Sequence, residues 1–264
     1  MSESRLEPGW TALRASGRKA LIPYLTAGYP TPSVSAAALR SLAEVADIME
    51  VGVPFSDPLA DGPTIQRSSY EALRQGMTLS GTLELIASAK LELPVVIFSY
   101  LNPILQYGVG RFLRAAEELG IAGLILTDVP AGSDPDLEAT VQRSGVDLIR
   151  LVAPTTRAAR LTAALDGAQG FVYLVARLGV TGARSSLDVD LHDSVSRVRA
   201  ATSLPVAVGF GISTAGQART VSQMADGVVV GSALVEILGR DGLGPARRFL
   251  GSLRQALDGQ AAKC

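Results

Sequence analysis

The sequence predicts an α/β protein, a (β/α)8 TIM barrel with an extra N-terminal helix. Short apolar runs rich in β-branched residues recur along the chain, and amphipathic segments separate most of them. Continuous apolar strands that alternate with helices are typical of a parallel sheet covered on both faces. About eight such units in 264 residues match the barrel. We therefore expect residues 1–264 to form a single domain.

The repeating pattern places each element in turn. The predicted strands are Ala20–Leu25, Ile48–Val51, Val95–Phe98, Gly123–Leu126, Asp147–Leu151, Phe171–Val175, Pro205–Val208 and Gly227–Val230. The predicted helices include Ser33–Ala46, Gly110–Leu119, Leu137–Ser144, Arg157–Leu165, Ser194–Ala201 and Ala215–Met224. An open, doubly wound sheet is the alternative, but Thr26–Pro30 after the first strand lacks the spacing of a dinucleotide-binding fingerprint.

Two further helical segments do not belong to the repeating unit. The residues before Ala20 predict an extra helix with Trp10 and Leu13 as core anchors. Ser80–Leu91 predicts a second one before the third strand.

Composition narrows the class of protein. The chain is 47% hydrophobic, and 24 Lys and Arg balance 25 Asp and Glu, so charge gives no reason to expect nucleic acid or an anionic membrane as a partner. No apolar run approaches the ~20 residues of a membrane span. The polar N-terminus does not resemble a secretory signal, and Cys264, the only cysteine, fits a reducing compartment. These features predict a cytoplasmic protein.

A metal site is not expected. One cysteine and one histidine, His192, cannot form the ligand clusters that transition metals require. We expect His192 near the start of a helix, on the surface.

The segment Asp47–Gln66 carries the clearest chemical signal. Glu50 lies near the end of an apolar strand, where a charge is costly unless it is paired or protonated. A loop rich in Gly and Pro follows and contains Asp57 and Asp61. An acid on a rigid strand facing an acid on a loop is a plausible proton-transfer pair. The alternatives are that Glu50 reaches water and that Asp61 caps the helix expected to begin at Pro63-Thr64.

Glycines after the last two strands predict an anion site. In phosphate-binding barrels the loops after strands seven and eight present backbone N–H groups to the anion, together with a helix N-terminus. Gly211 and Gly231-Ser232 follow those two strands here. Loop six, roughly 176–190, is long enough to be a lid, and its Thr181 and Gly182 offer further contacts. A solvated surface loop is the alternative.

Several motifs together resemble the α subunit of tryptophan synthase. They are EVGVPFSDPLADGPTIQ at 50–66, GVTG at 179–182, GFGIS at 209–213 and GSA at 231–233, and the similarity spans nearly the whole chain. The resemblance implies a TIM-barrel lyase that splits indole-3-glycerol phosphate into indole and glyceraldehyde 3-phosphate. It also implies a β-subunit partner in an αββα heterotetramer, with pyridoxal phosphate on the β subunit only and no cofactor on this chain.

The resemblance also implies residue roles. The catalytic acids fall on Glu50 and Asp61, and an aromatic substrate contact falls on Tyr173. The phosphate contacts fall on Gly182, Gly211, Gly231 and Ser232. The chain has Tyr24 where many relatives have Phe, and Thr127 beside the loop-four Asp128.

The remaining predicted contacts lie at the end of the first strand or on the loops that follow the strands. Tyr24, Tyr100 and Thr181 are predicted to contact the substrate. The surface predicted to bind the partner consists of Pro54, Asp57, Pro58 and Asn102.

Other readings stay open from the sequence. The chain can be a weakly catalytic subunit that activates a β partner, or an autonomous lyase that releases indole. A phosphate-sugar isomerase on the same barrel is the alternative outside the family, and the 50–66 motif argues against it.

Overall fold

The computed structural model describes residues 4–175, 184–209 and 211–259, with the helical backbone alone for 184–190. Eight parallel strands, hydrogen-bonded in sequence order, close into a barrel in which β1 pairs with β8. They are β1 (Ala20–Thr26), β2 (Met49–Gly52), β3 (Val95–Ser99), β4 (Gly123–Leu126), β5 (Asp147–Val152), β6 (Val172–Val175), β7 (Val206–Gly209) and β8 (Gly227–Val230). The closed barrel confirms the predicted fold and rules out the open sheet.

The helices surround this barrel. They are α1 (Glu7–Ala15), α2 (Pro32–Ala43), α3 (Pro63–Arg74), α4 (Leu79–Ala89), α5 (Leu101–Tyr107), α6 (Val109–Glu118), α7 (Pro135–Arg143), α8 (Ala158–Ala164), α9 (Arg184–Ala201), α10 (Ala215–Met224), α11 (Ser232–Asp241) and α12 (Leu243–Leu257). The extra helices α1 and α4 confirm the two predicted additions. The short helix α5 and the last helix, α12, had no counterpart in the sequence patterns.

The sequence placed the start of the helix before β7 too late, because α9 begins at Arg184 and residues 184–190 of the predicted loop six are helical. His192 lies inside α9, which begins at Arg184, rather than near a helix start. Its predicted surface position is confirmed, because the side chain is 67% exposed.

The interior of the barrel is filled by alternate strand residues. Ala20 and Ile22 of β1 belong to a buried cluster with one or two residues from most other strands, whereas Leu21 packs on the other face. This alternation follows from the pleat, which sends successive side chains to opposite faces of a strand. Trp10 of α1 contacts Phe171 just before β6, with ring centroids 5.5 Å apart, and belongs to the same cluster. Helix α1 therefore packs against one end of the barrel interior.

The register of the strands brings polar groups into the interior at the opposite end. Tyr24 of β1 pairs in register with Glu50 of β2. Glu50 follows the interior residue Ile48 by two positions, so its side chain points to the same face. Both residues are buried near the carboxyl ends of their strands, which is where catalytic groups lie in barrels of this type.

Ion pairs connect the last helix to the start of the barrel. Asp47, just before β2, accepts hydrogen bonds from the Leu21 N–H at 2.8 Å and from Arg254 of α12 at 2.7 Å. Arg254 also pairs with Asp258 at 2.6 Å. These contacts lie before β2, away from the carboxyl ends of the strands.

The described part of the chain contains neither a candidate membrane span nor a candidate metal site. No helix there is long and apolar enough to cross a membrane. Within the same residues, no group of three or more His, Cys, Asp or Glu side chains is placed to hold a metal ion.

Candidate active site

A cavity opens at the carboxyl ends of the strands. The cavity is narrow, with a volume of about 50 Å³. The described residues that line it are Tyr24, Glu50, Asp61, Gly62, Ile65, Phe98, Tyr173, Gly211, Gly231 and Ser232. Seven of these were predicted from the sequence as site residues, and the structure brings them together around one space.

Glu50 is the most deeply buried acid of this cavity. Only 1% of the residue is exposed, and its Oε2 has no hydrogen-bond partner among the described residues. Burial raises the pKa of Glu50 from 4.5 to about 8, and the charge of Asp61 adds to the rise. The carboxyl is therefore protonated at neutral pH. The alternative in which Glu50 simply reaches water is excluded by its burial.

Asp61 enters the cavity from the loop between β2 and α3. Its N–H donates to the Pro58 carbonyl at 3.0 Å, and its own carbonyl accepts from the Gln66 side chain at 2.9 Å. Burial raises the pKa of its carboxyl from 3.8 to about 6, while a hydrogen bond from the Tyr100 hydroxyl at 3.2 Å opposes that rise. Asp61 is therefore mostly ionised at neutral pH.

The capping role considered for Asp61 does not match its position. Helix α3 begins at Pro63 with Gly62 in the cap position, so Asp61 lies one residue before the cap. Its carboxylate accepts from Tyr100 instead.

Aromatic rings form the walls around the acids. Tyr24 packs edge-on against Phe98 with ring centroids 5.5 Å apart, and Tyr173 lines the same cavity. Burial raises the pKa of both tyrosines well above the ordinary value, so both phenols stay neutral. Phe98 was not predicted from the sequence as a site residue. It lies on β3, two positions before Tyr100, and alternate residues of that strand face the barrel interior.

The Tyr24 hydroxyl begins a chain of hydrogen bonds that leads out of the cavity. Ser68 of α3 donates to the Ile65 carbonyl at 2.8 Å, so it accepts from Thr26 at 2.6 Å. Thr26 in turn accepts from Tyr24 at 3.3 Å. Each hydroxyl has one proton, and this sequence of bonds uses all three. This series of hydrogen bonds connects the end of β1 to α3, and no sequence pattern indicated it.

Gly211 and the start of α11 form the other side of the cavity. Gly211 has a φ of +86°, which residues with a Cβ rarely adopt. Gly231 occupies the cap position of α11, and Ser232 is its first residue. The first N–H groups of a helix have no acceptor within the helix and carry a partial positive charge. This side of the cavity therefore offers backbone N–H donors of the kind that anions accept, and the anion site stays a prediction.

Comparison with known proteins identifies the family. The family model described as tryptophan synthase alpha chain matches residues 10–253. A tryptophan synthase alpha chain from Nitratidesulfovibrio vulgaris (strain DP4) is 45% identical over 253 residues, which cover 95% of this chain and 98% of that relative. This chain belongs to the tryptophan synthase alpha chain family.

Solved structures agree with this alpha chain in fold. A structure of Mycobacterium tuberculosis tryptophan synthase matches with a TM-score of 0.89 and 41% identity, covering 97% of this chain and 99% of that one. Tryptophan synthase subunit alpha from Legionella pneumophila str. Paris matches with a TM-score of 0.89 and 34% identity, covering 98% of this chain and all (100%) of that one.

The other predicted residues of the alpha chain lie outside the cavity or outside the described residues. Thr181 and Gly182 fall in 176–183, which the structure does not describe. Tyr100 lies behind Asp61 and is not among the described residues that line the cavity.

The predicted partner-binding residues differ in their exposure. Asp57 and Asn102 are exposed and Pro58 is partly exposed, whereas Pro54 is buried within the chain. Pro54 therefore supports the loop from beneath instead of offering surface to a partner. Leu59, 91% exposed in the same loop, was missed from the sequence.

Proposed function

We propose that Glu50 and Asp61 carry out the lyase reaction of this alpha chain, the cleavage of indole-3-glycerol phosphate into indole and glyceraldehyde 3-phosphate. One observation carries the proposal. A buried carboxyl and a partly buried one line a cavity that Gly211 and the start of α11 also line, and the pKa values of the two carboxyls, about 8 and about 6, differ. Between those values Glu50 is protonated and Asp61 is ionised, which is how acid and base roles are divided between two carboxyls.

Glu50 serves first as the acid and then as the base. It donates its proton to C3 of the indole ring, which weakens the bond between C3 and the side chain. The ionised Glu50 then removes the proton of the adjacent side-chain hydroxyl. The C–C bond breaks, its electrons return to the ring, and the former alcohol carbon becomes the aldehyde. Glu50 ends the cycle protonated, so no cofactor is required.

Asp61 stabilises the charge that forms between these two steps. Protonation at C3 leaves the ring positively charged at the indole nitrogen. An ionised carboxylate that accepts the indole N–H stabilises that charge, and it does so more strongly in a cavity from which water is excluded.

The glycerol phosphate end is proposed to bind at the opposite wall. Gly211, Gly231 and Ser232 would present their N–H groups to the phosphate, at the start of α11. Tyr24 and Tyr173 lie along the same cavity and would hold the remainder of the substrate.

Family membership implies a β partner, and we propose that the complex is an αββα heterotetramer with pyridoxal phosphate on the β subunit. Support for a docking surface comes from the exposure of the loops after β2 and β3. Asp57, Leu59 and Asn102 are exposed there, and Leu105 of α5 is 53% exposed. The cavity acid Asp61 lies on the first of these loops.

The test is indole release from indole-3-glycerol phosphate by Glu50→Gln and Asp61→Asn variants. Each substitution keeps the size of the side chain and removes its ability to transfer a proton or carry charge. We expect each to lower turnover by ~10² to 10⁴, the usual contribution of a general acid or base.

A matched control is Glu84→Gln, an exposed residue of α4. It should keep normal turnover. Normal turnover in a folded Glu50→Gln or Asp61→Asn variant would remove that residue from the mechanism.

A further inference from the structure

Tyr100 contacts the loop that carries Asp61 at two adjacent points. Its hydroxyl oxygen accepts the Ala60 N–H at 2.9 Å, and its O–H donates to Asp61 Oδ2 at 3.2 Å. One hydroxyl therefore holds both the backbone and the carboxylate of the loop. The tyrosine is 4% exposed, and both hydrogen bonds are partly buried.

Tyr100 is itself rigidly held. It follows β3 and occupies the cap position of α5. The next residue, Leu101, donates its N–H to Asp128 at 2.9 Å. The Phe55 ring, from the same loop as Asp61, packs against the Tyr100 ring with centroids 5.0 Å apart. The phenol thus projects from a fixed strand end towards a loop without regular secondary structure.

We propose that Tyr100 is a positioning residue whose hydroxyl fixes the Asp61 carboxylate and its loop at the cavity, without touching the reacting atoms. The inference rests on the proposed role of Asp61. It is specific to the hydroxyl, because the ring packs against Phe55 earlier in the same loop, whereas only the hydroxyl contacts Ala60 and the Asp61 carboxylate.

The direction of the hydrogen bond determines what it does. A phenol O–H donates, and an ionised carboxylate accepts more strongly than a protonated one, so the bond favours the ionised form. It opposes the burial that raises the pKa of Asp61. The other titratable groups that interact with this carboxyl are Glu50, Tyr24 and Tyr173. All three stay in place when only the Tyr100 hydroxyl is removed.

Tyr100→Phe tests the inference through the pH dependence of kcat/KM for indole release. Losing the bond should raise the pKa of Asp61, so the acidic limb of the profile should move to higher pH by about one unit. The alkaline limb, which reports Glu50, should move less. Tyr107→Phe is the matched control, because it removes a hydroxyl from the end of α5 and should leave both limbs unchanged.

A second measurement does not depend on activity. In protein labelled with ¹³C at aspartate carboxyls, the Asp61 signal can be identified by its loss in Asp61→Asn and then titrated by NMR. We expect its midpoint to be about one unit higher in Tyr100→Phe.

Two results would overturn the inference. One is an unchanged Asp61 titration with an unmoved acidic limb, whatever the turnover. A drop in kcat/KM with both limbs in place would indicate a direct substrate contact by Tyr100 instead. Failure of the proposed function would look different, because Asp61→Asn alone would then turn over normally, and this would remove both proposals.

Discussion

Glu50 should make the protein less stable as the pH rises. In the folded chain the pKa of Glu50 is about 8, against an ordinary value of 4.5. Below pH 4.5 the carboxyl is protonated in both the folded and the unfolded chain, so it has no effect on stability. Between pH 4.5 and about pH 8 the unfolded chain releases the Glu50 proton while the folded chain retains it. The free energy of unfolding therefore falls as the pH rises through this range.

The size of the effect follows from the two pKa values. One pH unit corresponds to about 1.36 kcal/mol, so the full loss above pH 8 is about 5 kcal/mol. About half of it, roughly 2–3 kcal/mol, falls between pH 5 and pH 7. In a domain of this size each kcal/mol shifts the melting temperature by roughly 2–4 °C. Glu50 should therefore lower the melting temperature by roughly 5–10 °C over that interval.

Thermal or urea denaturation of the wild type and Glu50→Gln between pH 5 and pH 9 measures this contribution. Glutamine does not titrate, so the stability of the variant should fall less with pH than that of the wild type. The quantity compared is the slope of stability against pH. The absolute stabilities are not compared, because burying the glutamine amide has a free-energy cost of its own. Asp61 titrates in both proteins, and Glu84→Gln should follow the wild type. Parallel curves for wild type and Glu50→Gln would refute the assignment of a protonated, buried Glu50.

Three other predictions concern the cavity wall, the anion site and the partner. Gly52→Ala should lower stability by about 1–3 kcal/mol and impair activity, because the new methyl would overlap the Tyr24 hydroxyl and lie 2.5 Å from its Cζ; unchanged melting and turnover would contradict this. Gly211→Val should weaken phosphate binding in calorimetry, since valine disfavours a φ of +86°; wild-type affinity would count against the site. With a β subunit present, Asp57→Ala or Pro58→Ala should reduce the stimulation of indole release more than the basal rate, and equal effects on both would exclude this loop from docking.

The strands were predictable because each is a short apolar run buried on both faces. Gly123–Leu126 and Gly227–Val230 have the bounds expected from the sequence, and the others differ by about one residue at their ends. Some strands extend one residue past the predicted run, as at Thr26 and Ser99, and some predicted runs extend past the ladder. Ile48 and Phe171, for example, are buried but lie just outside β2 and β6.

Contacts between distant residues could not be predicted from local patterns. The start of α5 depends on Asp128, which is 27 residues away from Leu101. The hydrogen bond to the Asp61 carboxylate comes from Tyr100, which is 39 residues further along the chain. No run of residues in the sequence encodes either pairing.

Pro54 is another residue whose position could not be predicted from the local sequence. A proline after a strand favours an exposed loop, and this one was expected to contact a partner. The ladder continues past β2, however, because the Val53 N–H donates to the Phe98 carbonyl at 2.9 Å. Pro54 therefore enters the loop while the backbone is still packed against β3, and its side chain is buried.

The burial that makes Glu50 an acid at neutral pH also destabilises the fold, so the protein needs compensating contacts that do not solvate Glu50. Such contacts lie at the opposite end of the barrel. Trp10 packs against Phe171 there, and Asp47 joins Arg254 of the last helix to the backbone of β1. None of these four residues lines the cavity formed by the described residues. Substitutions can therefore be made at one end of the barrel without altering the other: the stabilising contacts lie at the amino ends of the strands, and the acids lie at the carboxyl ends.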